Sequence, residues 1–329
     1  MNRESDAGAA EVGQLLELTV GAVAHGGHCV ARHAGRVVFV RHALPGERVV
    51  ATVTEVRRSY LRADAVEVLD ASPDRVVAPC PYAGPGRCGG CDFQHVAPAA
   101  QRRLKADVVR EQLVRLGGLD PADVAGFTVA ELPGGSLGWR TRVRYATDPD
   151  GRAGLRRHRS HDVLPVDRCL IAAPGIQAAM VPGPDGAESV RVVDRLWPGV
   201  SAVEVVRGAS GTTVVTHGRG GVTVVDGPER VTERAAGRRW ELAPEAFWQV
   251  HRGAADTFVE CVLQILRPGA GERAWDLYGG AGLFAAALAE RVGPGGRVVL
   301  VESDPAPDPR GNLADLPQVH VARGRVEQV

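Results

Sequence analysis

The sequence predicts a protein of the α/β plus β class, with an OB-like β-barrel first, a mixed β region second and a doubly wound α/β sheet last. Three observations lead to this prediction: short β-type runs between glycine and proline turns near the start, an amphipathic helical segment in the middle, and a strand, glycine turn, helix, strand order near the end. The corresponding domains are expected at residues 1–71, 72–235 and 236–329.

The composition is that of an ordinary globular protein. Of 329 residues, 44% are hydrophobic and 24% are charged, and the formal net charge is zero. No apolar run approaches the ~18 residues of a membrane span, and the polar start "MNRESDAGAAEVG" lacks the character of a secretory or transit segment. We therefore expect a cytoplasmic monomer with no membrane partner, in which any binding of nucleic acid depends on a local basic patch.

The first domain is predicted from five β-type runs between residues 14 and 69. They are "LLELTVGAVA", "HCVAR", "RVVFVRHA", "ERVVATVTEV" and "LRADAVEVL", and glycine or proline turns separate them. So many short strands in so short a segment favour a small barrel of the OB type, a common platform for nucleic acids. A barrel that packs only against its own protein remains an alternative, because fold alone does not determine function.

Three of the six cysteines lie close together in "CPYAGPGRCGGCDFQH", residues 80–95: Cys80, Cys88 and Cys91. A disulfide framework is typical of small secreted domains, whereas this chain is long and shows no secretory signal. Reduced thiolates spaced C-x7-C-x2-C in a loop rich in glycine and proline predict a metal site that takes its fourth ligand from elsewhere. Thiolate chemistry alone leaves structural zinc open beside an iron–sulfur cluster.

The central domain combines a helix with a basic strand. The segment "PAAQRRLKADVVREQLVRLGG" has apolar residues at helical spacing and a glycine stop, and "VSAVEVVRGASGTTVVTHG" predicts a hairpin. In "WRTRVRY", alternation places Arg140, Arg142 and Arg144 on one face of a strand. Residues 140–159 hold seven arginines against two aspartates. A row of guanidinium groups suits phosphate contact, although a solvated strand face explains it equally well.

The last domain contains the elements of a nucleotide site. The run "APEAFWQVHRGAADTFVECVLQIL" predicts a helix with Cys261 on its buried stripe, and the strand "ERAWDLY" leads through "GGAG" into the helix "LFAAALAERV" and the strand "GRVVLVES". Gly280 and Gly282 permit close approach of a ligand, and Glu302 can accept hydrogen bonds from ribose hydroxyls. The spacing D-x3-G-x-G from Asp276 departs from the dinucleotide fingerprint and fits better the first motif of S-adenosylmethionine (SAM) methyltransferases.

Together these segments resemble the SAM-dependent RNA 5-methyluridine methyltransferases that carry a TRAM domain and an iron–sulfur cluster. "RVVFVRHALPGERV" resembles the TRAM barrel, "CPYAGPGRCGGCDFQH" the cluster loop, "WRTRVRY" and "HDVLPVDRC" the central domain, and "FWQVH" and "DLYGGAGLF" the SAM site. The resemblance implies that an rRNA or tRNA is the substrate and that a [4Fe-4S] cluster is bound by Cys80, Cys88, Cys91 and Cys169. It implies a SAM site at Gln249, Asp276, Tyr278, Gly280, Gly282 and Glu302. The basic patch of residues 140–159 predicts RNA contacts at Arg140, Arg142, Arg144, Arg156 and Arg157.

The chemistry of this family requires residues that this sequence does not contain. A cysteine thiolate adds to uracil C6, C5 attacks the methyl group, and a carboxylate removes the C5 proton. The resemblance places these residues in Asp-Pro-Pro-Arg and Ser-Cys-Asn-Pro segments beyond the third strand, so no catalytic residue is assigned here. We therefore expect an incomplete chain with sheet order 3-2-1, in which the first strand is an exposed apolar edge.

Two details of the last domain and two alternative functions follow from the same residues. Leu283 stands where relatives often have asparagine, and Pro305, Pro307 and Pro309 limit the crossover helix to a short one near Gly311 to Leu316.

The alternative functions are a non-catalytic iron–sulfur RNA-binding module and a SAM-dependent methyltransferase for a small molecule. Radical-SAM chemistry is excluded, because its C-x3-C-x2-C motif is absent.

Overall fold

The computed structural model describes residues 10–183 and 187–328, so residues 1–9 of the polar start lie outside the described residues. The chain divides into two compact units, Met1–Glu131 with Arg156–Leu164 and Leu132–Leu155 with Pro165–Val329. These units do not coincide with the three predicted domains, whose boundaries stay a prediction. Among the described helices, none has both the length and the apolar character needed to cross a bilayer.

The first unit is built on one β-sheet. Its elements are β1 (Leu15–Thr19), β2 (Val23–Ala24), β3 (His28–His33), β4 (Arg36–Arg41), β5 (Arg48–Val56), β6 (Tyr60–Asp70), α1 (Pro98–Arg115) and α2 (Pro121–Val124). The strands follow the order β1-β5-β6-β4-β3-β2. The first predicted run, "LLELTVGAVA", forms the two strands β1 and β2 instead of one. The ladders of the described residues do not close this sheet into a barrel. The β2–β3 pair is extended by one bond, in which Gly21 N–H donates to Val30 O over 2.7 Å.

Alternation along these strands produces the core of the first unit. Leu16 and Leu18 of β1 are buried while their neighbours are exposed, and Leu61 at the centre is fully buried. Cys29 lies in this core, where its thiol donates to the carbonyl oxygen of Ala43 over 3.4 Å. Burial raises the pKa of Cys29 to about 12, so this thiol stays protonated and unreactive.

Helix α1 confirms the helix predicted in the middle of the chain, although its predicted apolar face is only partly buried and Leu116 is exposed. Pro98 occupies the first helical turn, where its missing N–H costs no hydrogen bond. Leu104 and Val108 pack against the core of the sheet. The helix ends before Gly118, whose φ of 69° lies in the left-handed region that glycine adopts easily.

The elements after α2 are more numerous. In chain order they are β7 (Arg142–Thr147), β8 (Ala153–Arg156), β9 (Val163–Pro165), α3 (Pro174–Gln177), β10 (Met180–Val181), β11 (Val190–Arg191), β12 (Val200–Gly208), β13 (Gly211–Gly218), β14 (Gly221–Asp226), β15 (Val231–Ala235), β16 (Arg238–Leu242), α4 (Ala254–Leu266), β17 (Arg273–Leu277), α5 (Leu283–Val292), β18 (Arg297–Glu302), α6 (Pro309–Asn312) and β19 (Val319–Arg323). Strands β14-β13-β12-β7-β8 are antiparallel neighbours, and the predicted hairpin is β12 and β13.

The C-terminal strands form the predicted parallel sheet. β18 lies between β17 and β19, so the first strand of this sheet is an edge, as the order 3-2-1 requires. Trp275 and Leu277 of β17 are 61% and 47% exposed. The crossover between β18 and β19 contains only the four-residue α6, which begins at Pro309 rather than near Gly311. The prolines thus shorten this helix as predicted.

The prediction for α4 was wrong in two respects. The helix begins at Ala254 instead of near Ala243, and it packs through Ala254, Ala255 and Val259. Cys261, predicted to be in the core, is exposed. The residues before Gly253 are not helical, and several of their carbonyl groups accept hydrogen bonds from Thr141 and Arg142, as described below.

Candidate functional site

The glycine turn after β17 has a tightly determined shape. Gly279 N–H donates to Val301 O over 3.1 Å, and Gly282 N–H donates to Gly279 O over 2.9 Å. A Cβ atom at Gly279 would lie 2.5 Å from Leu300 Cγ, which is closer than real Cβ atoms approach. Gly280 and Gly282 have φ values of 54° and 95°, in the left-handed region. Glycine is therefore required at Gly279 for close packing, and at Gly280 and Gly282 for the backbone conformation.

Asp276 joins the strand to the helix that follows. Its side chain is 7% exposed, and its Oδ2 accepts a hydrogen bond from Ala285 N–H, at the start of α5, over 2.8 Å. Burial raises the pKa of Asp276 to about 6; the Ala285 N–H opposes this shift and the Glu302 carboxylate adds to it. Asp276 therefore mainly stabilises the connection between β17 and α5 through this hydrogen bond, in a position with little access to solvent.

Glu302 at the end of β18 is the second carboxylate of the turn. Its Oε2 accepts from Gly280 N–H over 2.9 Å, and its Oε1 accepts from the N–H groups of Ser303 and Asp304 over 2.7 Å each. Three backbone amides thus hold this carboxylate at the carboxyl edge of the parallel sheet. The structure places Asp276, Gly280 and Glu302 at one turn, and their role in binding a cofactor stays a prediction.

Tyr278 and Gln249 were also predicted to contact the cofactor. Tyr278 is 71% exposed and has a φ of 62°, and its hydroxyl donates to Glu327 Oε1 over 3.3 Å. An exposed aromatic ring beside the glycine turn is available to a ligand. Gln249 is half-buried and lies in a non-helical segment before α4. Within the described part of the chain, no hydrogen bond joins Gln249 to the glycine turn, and Leu283 is buried in the core of the domain.

The cysteine loop in the first unit packs against residues 156–158. Cys88 N–H donates to Tyr82 O over 3.0 Å, and Gly89 N–H donates to Arg156 O over the same distance. A Cβ atom at Gly89 would lie 2.7 Å from the Cα atom of His158. The guanidinium of Arg157 donates to the carbonyl oxygen of Gly86. This loop is therefore a folded structure rather than an extended linker.

The thiols of this loop accept weak hydrogen bonds from their neighbours. Cys88 Sγ accepts from Gly90 N–H over 3.4 Å, and Cys91 Sγ accepts from the Gln94 amide over 3.6 Å. No disulfide joins any of the six cysteines, all of which lie within the described ranges. Over residues 10–183 and 187–328, the structure contains no cluster of three or more His, Cys, Asp or Glu side chains arranged to bind a metal ion. The binding of a cluster by these cysteines therefore stays a prediction, and we derive no step from such a group.

The arginine row on β7 is only partly as predicted. Arg144 is exposed, Arg140 is half-buried, and Arg142 is 6% exposed. Arg142 Nη1 donates to the carbonyl oxygens of Pro244 over 2.8 Å and Ala246 over 2.6 Å. Burial lowers the pKa of Arg142, and nearby carboxylates, first Glu233, oppose that shift. The prediction that Arg142 contacts RNA is therefore corrected, because its guanidinium is enclosed within the protein.

Sequence reasoning missed two features of the site. It selected Gly280 and Gly282 but not Gly279, although the doubled glycine was a signal that one of the two serves packing. It also missed the buried carboxylate of Glu233, which is 9% exposed and lies near Arg142. Burial raises the pKa of Glu233 to about 7, and the Arg142 charge opposes the shift. No local pattern distinguishes Glu233 from a surface residue on a strand.

A parallel sheet with a glycine turn, a helix start and two carboxylates at its carboxyl edge defines a nucleotide-binding α/β domain of the methyltransferase type. The solved tRNA (uracil-54, C5)-methyltransferase of Pyrococcus abyssi has the same fold. The TM-score is 0.58 at 19% identity, over 92% of this chain and 79% of that one. The TRAM domain family matches residues 9–66.

Relatives place the chain more closely. An uncharacterized RNA methyltransferase of Streptomyces avermitilis is 51% identical over 97% of this chain and 79% of its own length. The 23S rRNA (uracil(1939)-C(5))-methyltransferase RlmD of Alkalilimnicola ehrlichii is 31% identical over 87% of this chain and 72% of its own length. The chain therefore belongs to the TRAM-domain family of RNA uracil-C5 methyltransferases.

Proposed function

We propose that this protein is a SAM-dependent methyltransferase that acts on C5 of uracil in RNA. The observation that carries the proposal is the glycine turn at the carboxyl edge of the parallel sheet, where Glu302 accepts from Gly280 N–H and Asp276 accepts from Ala285 N–H. Family membership supports the reaction type and the RNA substrate. A choice between rRNA and tRNA, and of one uridine, is left to experiment.

The residues present fit the cofactor. An ideal Cβ at Gly280 would meet no atom within 4 Å, so the space beside this backbone is open to a ligand. Glu302 directs its carboxylate to the same turn and keeps lone pairs that ribose hydroxyls can use. Tyr278 offers an exposed ring, and Gln249 offers an amide from the segment before α4. When bound, SAM supplies the electrophilic methyl group.

Uracil C5 methylation also needs a thiolate to add at C6 and a base to remove the C5 proton. We assign neither role to a described residue. Cys29 is unsuited, because its buried thiol is protonated at neutral pH. The proposal therefore separates into a binding part, which these residues can perform, and a transfer part, which must be measured on this chain directly.

The test measures both parts. Isothermal titration gives SAM affinity, and transfer of a tritiated methyl group to rRNA and tRNA transcripts, followed by nucleoside analysis, gives activity at uracil C5. SAM binding with label in 5-methyluridine is the expected result. SAM binding and RNA binding without label would favour the non-catalytic RNA-binding module. Absence of salt-dependent RNA binding would favour a small-molecule methyltransferase instead.

An iron–sulfur cluster at Cys80, Cys88, Cys91 and Cys169 is a further part of the proposal. It is supported by the C-x7-C-x2-C spacing and by hydrogen bonds that Cys88 Sγ and Cys91 Sγ accept, an arrangement that stabilises thiolates. Anaerobic purification followed by iron, sulfide and zinc analysis tests it. Loss of bound iron in Cys88→Ser but not in Cys261→Ser would support the cluster, and colourless protein without metal would reject it.

RNA contact is proposed at Arg140, Arg144, Arg156 and Arg157, with Arg142 removed from the original set. Arg144 and Arg156 are exposed, which phosphate contact requires. Replacing Arg144 with glutamine should weaken RNA binding uniformly across sequences and reduce the salt slope by about one. A cytoplasmic location and a monomeric state complete the proposal, and fractionation and light scattering test them.

A further inference from the structure

Residues 139–142, which sequence patterning selected for RNA binding, make a different set of contacts. They run alongside the segment Pro244–Arg252, which contains Gln249. Thr141 N–H and Thr141 Oγ1 both donate to Val250 O, over 2.7 and 3.1 Å. Arg140 forms an antiparallel bridge with His251, and the Trp139 and His251 rings stack at 5.3 Å with an interplanar angle of 22°.

Arg142 holds the other end of the same segment. Its Nη1 donates to the carbonyl oxygens of Pro244 and Ala246, of which Ala246 lies three residues before Gln249. Thr141 bonds the carbonyl of Val250, one residue after it. Gln249 thus lies between two fixed points although it belongs to no helix or strand. Arg142 itself is aligned with Val206 in the ladder between β7 and β12, so the anchor belongs to a regular sheet.

The burial of Arg142 indicates what the contact is for. Arg142 Nη1 donates to two backbone carbonyl groups, whereas its Nε and Nη2 have no hydrogen-bond partner among the described residues. Burial of a guanidinium is costly, and these two bonds together with the nearby Glu233 carboxylate offset part of that cost. The same hydrogen bonds attach Pro244–His251, which lies outside α4, to Thr141 and Arg142. The sheet thereby holds the backbone on both sides of Gln249.

We propose that Arg142 and Thr141 are positioning residues for the SAM site, acting through the backbone on either side of Gln249. The inference rests on the proposed function in one respect, the contact between Gln249 and SAM. It predicts that Arg142→Gln and Gln249→Ala each weaken SAM binding about tenfold, and that the double variant is no weaker than Gln249→Ala alone. Arg142→Lys, which keeps a donor, should recover part of the affinity.

The experiment measures SAM affinity by isothermal titration in the full chain, without methyl transfer. Arg207→Gln is the matched control, because Arg207 is exposed on β12 directly after Val206; its SAM affinity should match the unmodified protein. Thr141→Val removes only the hydroxyl donor, so it replaces Arg142→Gln if that variant fails to fold. Its expected loss is about threefold and should vanish when Gln249 is alanine.

The outcomes separate the two proposals. If the unmodified protein does not bind SAM, the proposed function fails. If it binds SAM and Gln249→Ala weakens binding, but folded Arg142 and Thr141 variants bind normally, the positioning role is rejected while the function stands. Additive losses in the double variant would also reject it, because they would show that Arg142 acts independently of Gln249.

Discussion

At the scale of single residues, Gly279 determines the shape of the turn by having no side chain. Gly279→Ala would place Cβ 2.5 Å from Leu300 Cγ, and a branched side chain in the core cannot withdraw that far. We expect a loss of about 1–3 kcal/mol in the free energy of unfolding and weaker SAM binding, measured by urea denaturation and titration.

The control for this substitution is Gly295→Ala, where an ideal Cβ meets no atom within 4 Å. It lies in the loop before β18 and should change the free energy of unfolding by less than about 0.5 kcal/mol. Equal effects of the two substitutions would mean that the close contact at Leu300 is relieved by movement of the turn.

Asp276 should make stability depend on pH. Its pKa in the folded protein is about 6, above the ordinary value of 3.8, so the folded state binds the proton more tightly than the unfolded state. Its contribution to stability is therefore complete below pH 4 and is lost as pH rises through 6. Asp276→Asn keeps an acceptor for Ala285 N–H and removes the ionisation. It should be more stable than the unmodified protein at pH 7.5, by roughly 1–3 kcal/mol.

The measurement is thermal or urea unfolding of both proteins between pH 4 and 8. The difference between them should grow from pH 4 to about 6.5 and then stay level. A difference that does not change with pH would show that Asp276 is ionised throughout the range, despite its burial. Because both proteins contain Glu233, its own titration cancels in the comparison.

At the scale of elements, the burial of its apolar residues shows which face of α4 packs against the core. Val259 is buried while Ile265 is 76% exposed, and the two residues lie on different faces of the helix. Val259→Ala should cost about 2 kcal/mol of unfolding free energy, whereas Ile265→Ala should cost less than about 0.5 kcal/mol. Urea denaturation distinguishes them, and a larger loss at Ile265 would place the packed face elsewhere.

Sequence patterns predicted elements well where local chemistry decided the outcome. Helix α1 follows from its apolar period and glycine stop, the β12–β13 hairpin from its turn, and short α6 from the prolines around it. The start of α4 was not predicted, because its apolar pattern continues back into Pro244–Arg252, a segment that Arg142 and Thr141, about a hundred residues earlier, hold through its backbone carbonyls. The burial of Arg142 escaped prediction for the same reason, since strand alternation does not show which faces are covered.

At the scale of the whole molecule, the edge of the parallel sheet exposes apolar surface. Trp275 and Leu277 are exposed on β17, whose outer hydrogen-bonding groups have no neighbouring strand among the described residues. Such edges promote association between chains. Trp275→Lys with Leu277→Lys should slow aggregation of concentrated protein, followed by light scattering.

The control is Val77→Lys, since Val77 is 94% exposed and belongs to no strand. It should leave the rate of aggregation unchanged. If the β17 variant aggregates as fast as the unmodified protein, association involves another surface.

The order of the sheet and the TRAM match were both foreseen from the sequence, whereas the way in which distant segments pack was not. The glycine turn is encoded within thirty residues, so local spacing was sufficient to find Asp276, Gly280 and Glu302. The cysteine set requires the convergence of residues from separate parts of the chain. Spacing can propose such a convergence, but only the packing of the intervening residues determines it.

The carboxylate of Glu302 already engages three amide groups before any cofactor arrives. The loop that receives the cofactor has therefore lost most of its conformational freedom during folding, and little further ordering is required on binding. Hydrogen exchange at Gly280, Ser303 and Asp304 should then be slow in the ligand-free protein and change only slightly when the cofactor binds. A rigid binding loop accepts only ligands that fit its existing shape. A cofactor analogue with an altered sugar should therefore bind more weakly, because the loop cannot adapt to it.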